Sequence, residues 1–127
     1  MKPLFDNTFL LLLMLFLHIF ADFHMQGNLA LWKQQSWWQQ NRPKGMYQND
    51  YLVALILHSF EWVFFIMLPV AIRYGTDGMF LVVFVSNLIV HAFVDNAKAN
   101  WHMLNLMQDQ VIHLMQIILT YTIFILS

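Results

Sequence analysis

Histidine and carboxylate recur together four times in this chain, each time about one helical turn apart: His18 with Asp22, His58 with Glu61, His91 with Asp95, and Asp109 with His113. Neutral imidazole and carboxylate are ligands for zinc, iron or manganese. Each pair lies inside or at the end of an apolar stretch. There an ionisable group costs about 2.5–3.5 kcal/mol at mid-helix on the insertion scale. Four such pairs point to one polar site built where four helices meet. The chain has no Cys, which excludes disulfides, thiolate ligands and a thiol nucleophile.

The elements that must position these groups follow from helical geometry. Residues four apart are offset by about 40° around a helix, and residues three apart by about 60° in the other sense. His18, Asp22 and Gln26 therefore share one face. His91, Asp95 and Lys98 share a second, Asp109, His113 and Gln116 a third, and His58 and Glu61 a fourth. Histidine and acid close helices 1 and 3 and lie near the starts of helices 2 and 4, so all four pairs fall toward the same membrane face. The segments H-I-F-A-D and H-A-F-V-D also make a weak internal repeat. Two helical hairpins in the same orientation give a pseudo-twofold axis along the membrane normal.

The 127 residues suffice for one domain, read as a single multi-pass unit over 1–127. The chain is 60% hydrophobic and 10% charged, against about 25% charged in a soluble domain. Its mean hydropathy is +0.57. A net charge of −1 gives no reason to expect nucleic acid as a partner. The expected architecture is an all-α four-helix transmembrane bundle with helices at about 5–25, 51–73, 79–98 and 109–126. The first segment is read as a retained helix rather than a cleaved signal peptide, because its apolar run continues into His18 and Asp22. Pro69 is placed to kink the second. The connection 27–50 is long and polar, and its Trp32, Trp37 and Trp38 suit the headgroup layer. The stretch 74–78 is a tight turn, and 96–107 forms a third, polar connection. Lys33, Arg42, Lys44 and Lys98 lie on connections one and three, against Lys2 and Arg73 on the other side. That bias puts connections 27–50 and 96–107 in the cytoplasm and both termini outside.

The chemistry expected of the convergence is metal binding by His18, Asp22, His58, His91, Asp95, Asp109 and His113, with Gln26 and Gln110 hydrogen-bonding around them. A divalent transition metal is implied, zinc first, with iron or manganese as alternatives. Such a metal with an open position activates water. Glu61 is then the candidate general base, and Lys98 the group that stabilises developing negative charge. The reaction class is hydrolysis of a phosphoryl, ester or amide bond in a lipid-like or amphipathic substrate. The competing reading is a non-enzymatic membrane protein (a small transporter, a proton relay or an interaction subunit) that uses the same pairs as a metal-free network between helices. Bis-histidine haem is a third reading, disfavoured by an acid beside every histidine. His24 and His102 are read as interfacial and without a role. The oligomeric state is left open.

Four blocks carry a resemblance: H-I-F-A-D-F-H-M-Q from His18 to Gln26, H-S-F-E from His58 to Glu61, H-A-F-V-D-N-A-K from His91 to Lys98, and D-Q-V-I-H from Asp109 to His113. Together they resemble a group of small bacterial and phage membrane proteins, domain of unknown function 3307. The resemblance implies a multi-pass domain in the bacterial inner membrane and no established activity. More loosely, the arrangement looks like that of membrane-bound metal-dependent hydrolases, which is an analogy of pattern.

Overall fold

The structure is a computed structural model, described here for residues 5–127. It is all-α. Helix α1 spans Asn7–Ile19 and runs on as a π-helical turn over Phe20–His24; α2 (Leu29–Trp32) and α3 (Gln35–Asn41) are short; α4 spans Asp50–Tyr74, α5 Gly78–Ala99 and α6 Leu106–Leu126. Four helical spans are long and apolar enough to cross a membrane: Asn7–His24, Gly45–Tyr74, Gly78–Ala99 and Leu106–Leu126. These mark the chain as an integral membrane protein.

Each boundary has a local cause. Asp6 accepts the Phe9 N–H at 2.8 Å and starts α1, and Asp77 does the same for Phe80 at 3.0 Å at the start of α5. Between α4 and α5 the chain reverses at Gly75, whose φ of +84° suits glycine best. Helix α6 begins three residues before the expected Asp109. The reason is a reciprocal cap: Asn105 accepts the Gln108 N–H at 2.8 Å, while the Gln108 side chain accepts the Asn105 N–H at 3.0 Å. The cap adds Leu106, Met107 and Gln108 to the helix ahead of Asp109. Helix α4 is continuous through Pro69.

The long helices alternate in direction, and α4 packs on both α1 and α5, with α6 against all three. Half of the bundle interior is ordinary. Leu10, Met14, Ile66, Met67, Val70, Ile117 and Phe124 are buried together, away from the two longer connections. The outward faces are equally apolar: Phe16, Leu81, Val82, Ile89, Phe93 and Leu119 are all exposed. A surface of this kind suits lipid rather than water. At the other end the interior is polar, with His18, Asp22, His58, His91, Asp95, Asp109 and His113 all buried. The two longer connections meet over that end. Asn100 donates to the Lys33 carbonyl at 2.9 Å and accepts the Gln35 N–H at 2.6 Å. Lys2, counted above for orientation, lies outside the described residues.

Candidate metal centre

Three aspartates and three histidines converge from all four long helices. His58 Nε2 lies 3.2 Å from Asp22 Oδ1 and 3.5 Å from Asp95 Oδ2. His113 Nε2 lies 3.3 Å from Asp95 Oδ1 and 3.2 Å from Asp109 Oδ1. The His91 and His113 rings stack with centroids 4.2 Å apart. Three overlapping donor groups come close enough to hold an ion: Asp22 with His58 and His91, His91 with Asp95 and His113, and Asp22 with Asp109 and His113. Within each, one ligand atom per residue lies within 4.8 Å of the others.

Hydrogen bonds decide which nitrogen faces the centre. Gln116 directs its amide N–H groups to the Asn87 backbone carbonyl at 3.2 Å and to Asn87 Oδ1 at 3.1 Å. A backbone carbonyl only accepts, so the Gln116 amide cannot be turned round. Its Oε1 therefore faces His113 Nδ1, 3.0 Å away, and Nδ1 must carry the proton. His113 Nε2 is left pointing at two carboxylates. A bare lone pair there would repel both. The position demands either a second proton on the ring or a cation between Nε2, Asp95 and Asp109. Asp109 Oδ1, though near, makes no hydrogen bond.

His91 adds a second open ligand. Its Nδ1 lies 3.0 Å from the Ser59 hydroxyl, while Nε2 is buried without any partner. A hydrogen bond on the far nitrogen and a free inner one is the usual posture of a histidine ligand. His58 is less open: Nε2 faces the carboxylates and Nδ1 is unpartnered.

One expected ligand, His18, and the expected general base, Glu61, lie outside the three donor groups. His18 is buried beside the cluster, but both of its nitrogens are engaged. The Trp62 indole, which can only donate, gives its N–H to Nδ1 at 2.8 Å. Nε2 must then hold the ring proton and donate to Gln110 Oε1 at 2.9 Å. His18 has no lone pair left for a metal and belongs to none of the three donor groups. Glu61 is also displaced from its expected place. His58 reaches across to Asp22 and Asp95 rather than to Glu61, whose Oε1 is buried without a partner. Glu61 is in none of the donor groups either.

Gln110 accepts from His18 and donates to Asp22 Oδ2 at 2.7 Å and Asp109 Oδ2 at 3.1 Å, tying α1 to α6. Gln26 donates to the Asp22 backbone carbonyl at 2.8 Å. Lys98 reaches Asp109 Oδ2 at 3.3 Å. Sequence reasoning missed Lys33, which folds in from the first connection, is 5% exposed, and binds Asp95 Oδ2 at 2.9 Å. It also missed Ser59 and Trp62. Trp62 carried a signal, since it lies one turn after His58 on the same face. Lys33 carried none, because a basic residue among tryptophans reads as an interfacial anchor. His24 is exposed, as expected of an interfacial residue.

No protein-family model, curated protein or solved structure matches this chain.

Proposed function

We propose that the cluster is an intramembrane site for a divalent transition metal, held by His91 Nε2, His113 Nε2 and Asp95, with Asp22, Asp109 and His58 around them. The observation that carries this reading is the His113 ring, fixed by Gln116 so that Nε2 faces two carboxylates. An unpartnered His91 Nε2 beside it supports the same conclusion. The donor set is three imidazoles and three carboxylates without sulfur, which suits zinc first and iron or manganese next.

The activity we propose is hydrolysis of a bond in an amphipathic substrate drawn from the bilayer. When bound, the metal supplies Lewis acidity and an activated water. The chain's own residues supply the rest. Asp22, with one oxygen bonded to His58 and the other to Gln110, is held facing the metal ligands. Glu61, outside the three donor groups, has no role at the metal. Lys98, part-exposed at the rim, offsets negative charge that develops there. We place the protein in a bacterial inner membrane with termini outside and connections 27–50 and 96–107 in the cytoplasm. Kinship with the domain of unknown function 3307 group belongs to the same proposal and adds no activity to it.

Metal analysis tests the reading directly. Protein purified in detergent without chelator is expected to hold a transition metal, and the His91→Ala/Asp95→Asn double variant to lose it. Equal metal content in the two would overturn the site. The metal-free alternative, in which His113 carries a second proton between Asp95 and Asp109, rests on the same ring and predicts no effect of chelator on thermal stability.

A further inference from the structure

The two lysines that pair with the site's aspartates also line one cavity. It has a volume of about 350 Å³, and Lys33, Lys98, Gln26, Gln34 and His102 contribute its polar lining. The lysine side chains form the wall between this cavity and the cluster, because each ammonium reaches an aspartate on the inner side: Lys33 to Asp95, Lys98 to Asp109. His102 is held with φ of +54°, a left-handed backbone that persists only where the surroundings fix it. The cavity lies where the first and third connections are clamped together through Asn100.

We propose that this cavity binds the phosphoryl group of an anionic lipid or of a free phosphate, with the Lys33 and Lys98 ammoniums as its cationic wall. The inference deepens the metal-site reading and rests on it. Without a metal, the second proton that His113 then carries brings the three aspartates and two lysines to zero net charge, which gives an anion no attraction. A bound divalent cation with neutral histidines makes the group net positive and competes with both ammoniums for Asp95 and Asp109, so that binding an anion requires them to turn from those aspartates toward a phosphoryl oxygen. Lysine is a common phosphate partner as a mobile point charge. Lys33 caps the short helix α2, whose Leu29 and Trp32 line a second, mostly apolar cavity of about 350 Å³ that also includes Asp50.

The test uses the purified full chain in neutral detergent, with metal content measured on each sample. The probes are phosphatidic acid, diacylglycerol and inorganic phosphate, with binding read from tryptophan fluorescence and competition. Phosphatidic acid is expected to bind and inorganic phosphate to compete with it, while diacylglycerol, which has the same chains and no phosphate, binds at least tenfold more weakly. Phosphatidic acid tenfold tighter than inorganic phosphate assigns the lipid source, and equal affinities assign the free anion. Lys98→Gln is expected to weaken both probes about tenfold at unchanged metal content, and Lys98→Arg to restore them. His102→Ala, on an exposed connection, provides a second variant with little risk to folding and the same direction of effect. Diacylglycerol bound as tightly as phosphatidic acid, or affinities unmoved in both Lys98→Gln and His102→Ala, overturns this inference while the metal site stands. A wild-type protein without metal overturns both.

Discussion

The two halves of the bundle carry the same H-x-F-x-D pattern and put it to different uses. In the first half, His18 is closed: Trp62 and Gln110 take both ring nitrogens. In the second, His91 keeps Nε2 open in a buried place. One tryptophan accounts for much of the difference. Trp62 meets His18 edge-on at 87° and gives it its single N–H. To His91 it offers only a ring face, stacked at 4.4 Å and 29°. A face has no hydrogen to donate, so the second histidine keeps a lone pair that the first has lost. The backbone differs as well. The stretch after His18 is a π-turn, with the Met25 N–H bonded to the Phe20 carbonyl at 2.9 Å, whereas His91 and Asp95 lie in regular α-helix. The turn re-aims Asp22 relative to His18, and such turns are frequent at functional sites. A repeated motif therefore shows where polar groups gather, and its neighbours decide which of them are free to bind.

The largest expected effect sets the two histidines directly against each other. His91→Ala is expected to lower metal affinity more than a hundredfold and to leave the helical content unchanged by circular dichroism. His18→Ala is expected to keep the metal and lose stability instead, because the Trp62 N–H and Gln110 Oε1 are left buried without partners. Each such group costs about 1–3 kcal/mol. If His18→Ala empties the site as completely as His91→Ala, the distinction between the halves is wrong.

The next effect concerns the pair that follows in each half, His58 and His113. Only His113 has its outer nitrogen held, by a chain that runs from Gln116 to Asn87 and on to Thr120 Oγ1 at 2.8 Å. Gln116→Leu removes that hold at nearly constant volume. Metal affinity is expected to fall about 10–100-fold, the usual consequence of losing a ligand's outer partner. A competition titration against a chelator measures it. No fall would mean that His113 is not a ligand.

How much of this was legible in the sequence divides along physical lines. The spans were, because about twenty apolar residues in a row have few other solutions in water or lipid. The convergence of His58, His91, His113 and the three aspartates was also legible, because spacing fixes a helix face and the cost of buried charge argues for partners. The start of α6 was not, since Asn105 and Gln108 read as loop polarity until their reciprocal bonds are seen. Nor was the fate of His18, which depends on a tryptophan 44 positions away. Lys33 was invisible for the same reason: its partner Asp95 is 62 positions distant, and only the folding of the first connection brings them together.

A smaller effect isolates the tryptophan itself. Trp62→Phe keeps an aromatic face against His91 and deletes the donor to His18. The expected cost is about 1–3 kcal/mol in detergent-denaturation stability, with metal content unchanged. Loss of metal together with stability would show that Trp62 acts on His91 as strongly as on His18, and the two halves would then differ less than their hydrogen bonds imply.

The smallest expected effect falls on Glu61, and its smallness is informative. The i,i+3 spacing to His58 made Glu61 the natural fourth acid and a candidate base. In the bundle His58 faces Asp22 instead, which reaches it from another helix and is itself oriented by Gln110. Glu61→Gln keeps the shape of the side chain and removes its charge. Metal content should not change, and stability should hold or rise, because the change removes the charge of a carboxylate whose Oε1 is buried without a partner. Asp22→Asn, an equally conservative change, should lower metal affinity and disturb both the His58 and the Gln110 bonds. Two variants of the same chemical kind, one on the helix of His58 and one across from it, thus separate sequence proximity from spatial partnership. A Glu61→Gln effect as large as that of Asp22→Asn would return Glu61 to the site and place the base within the first hairpin's own helix.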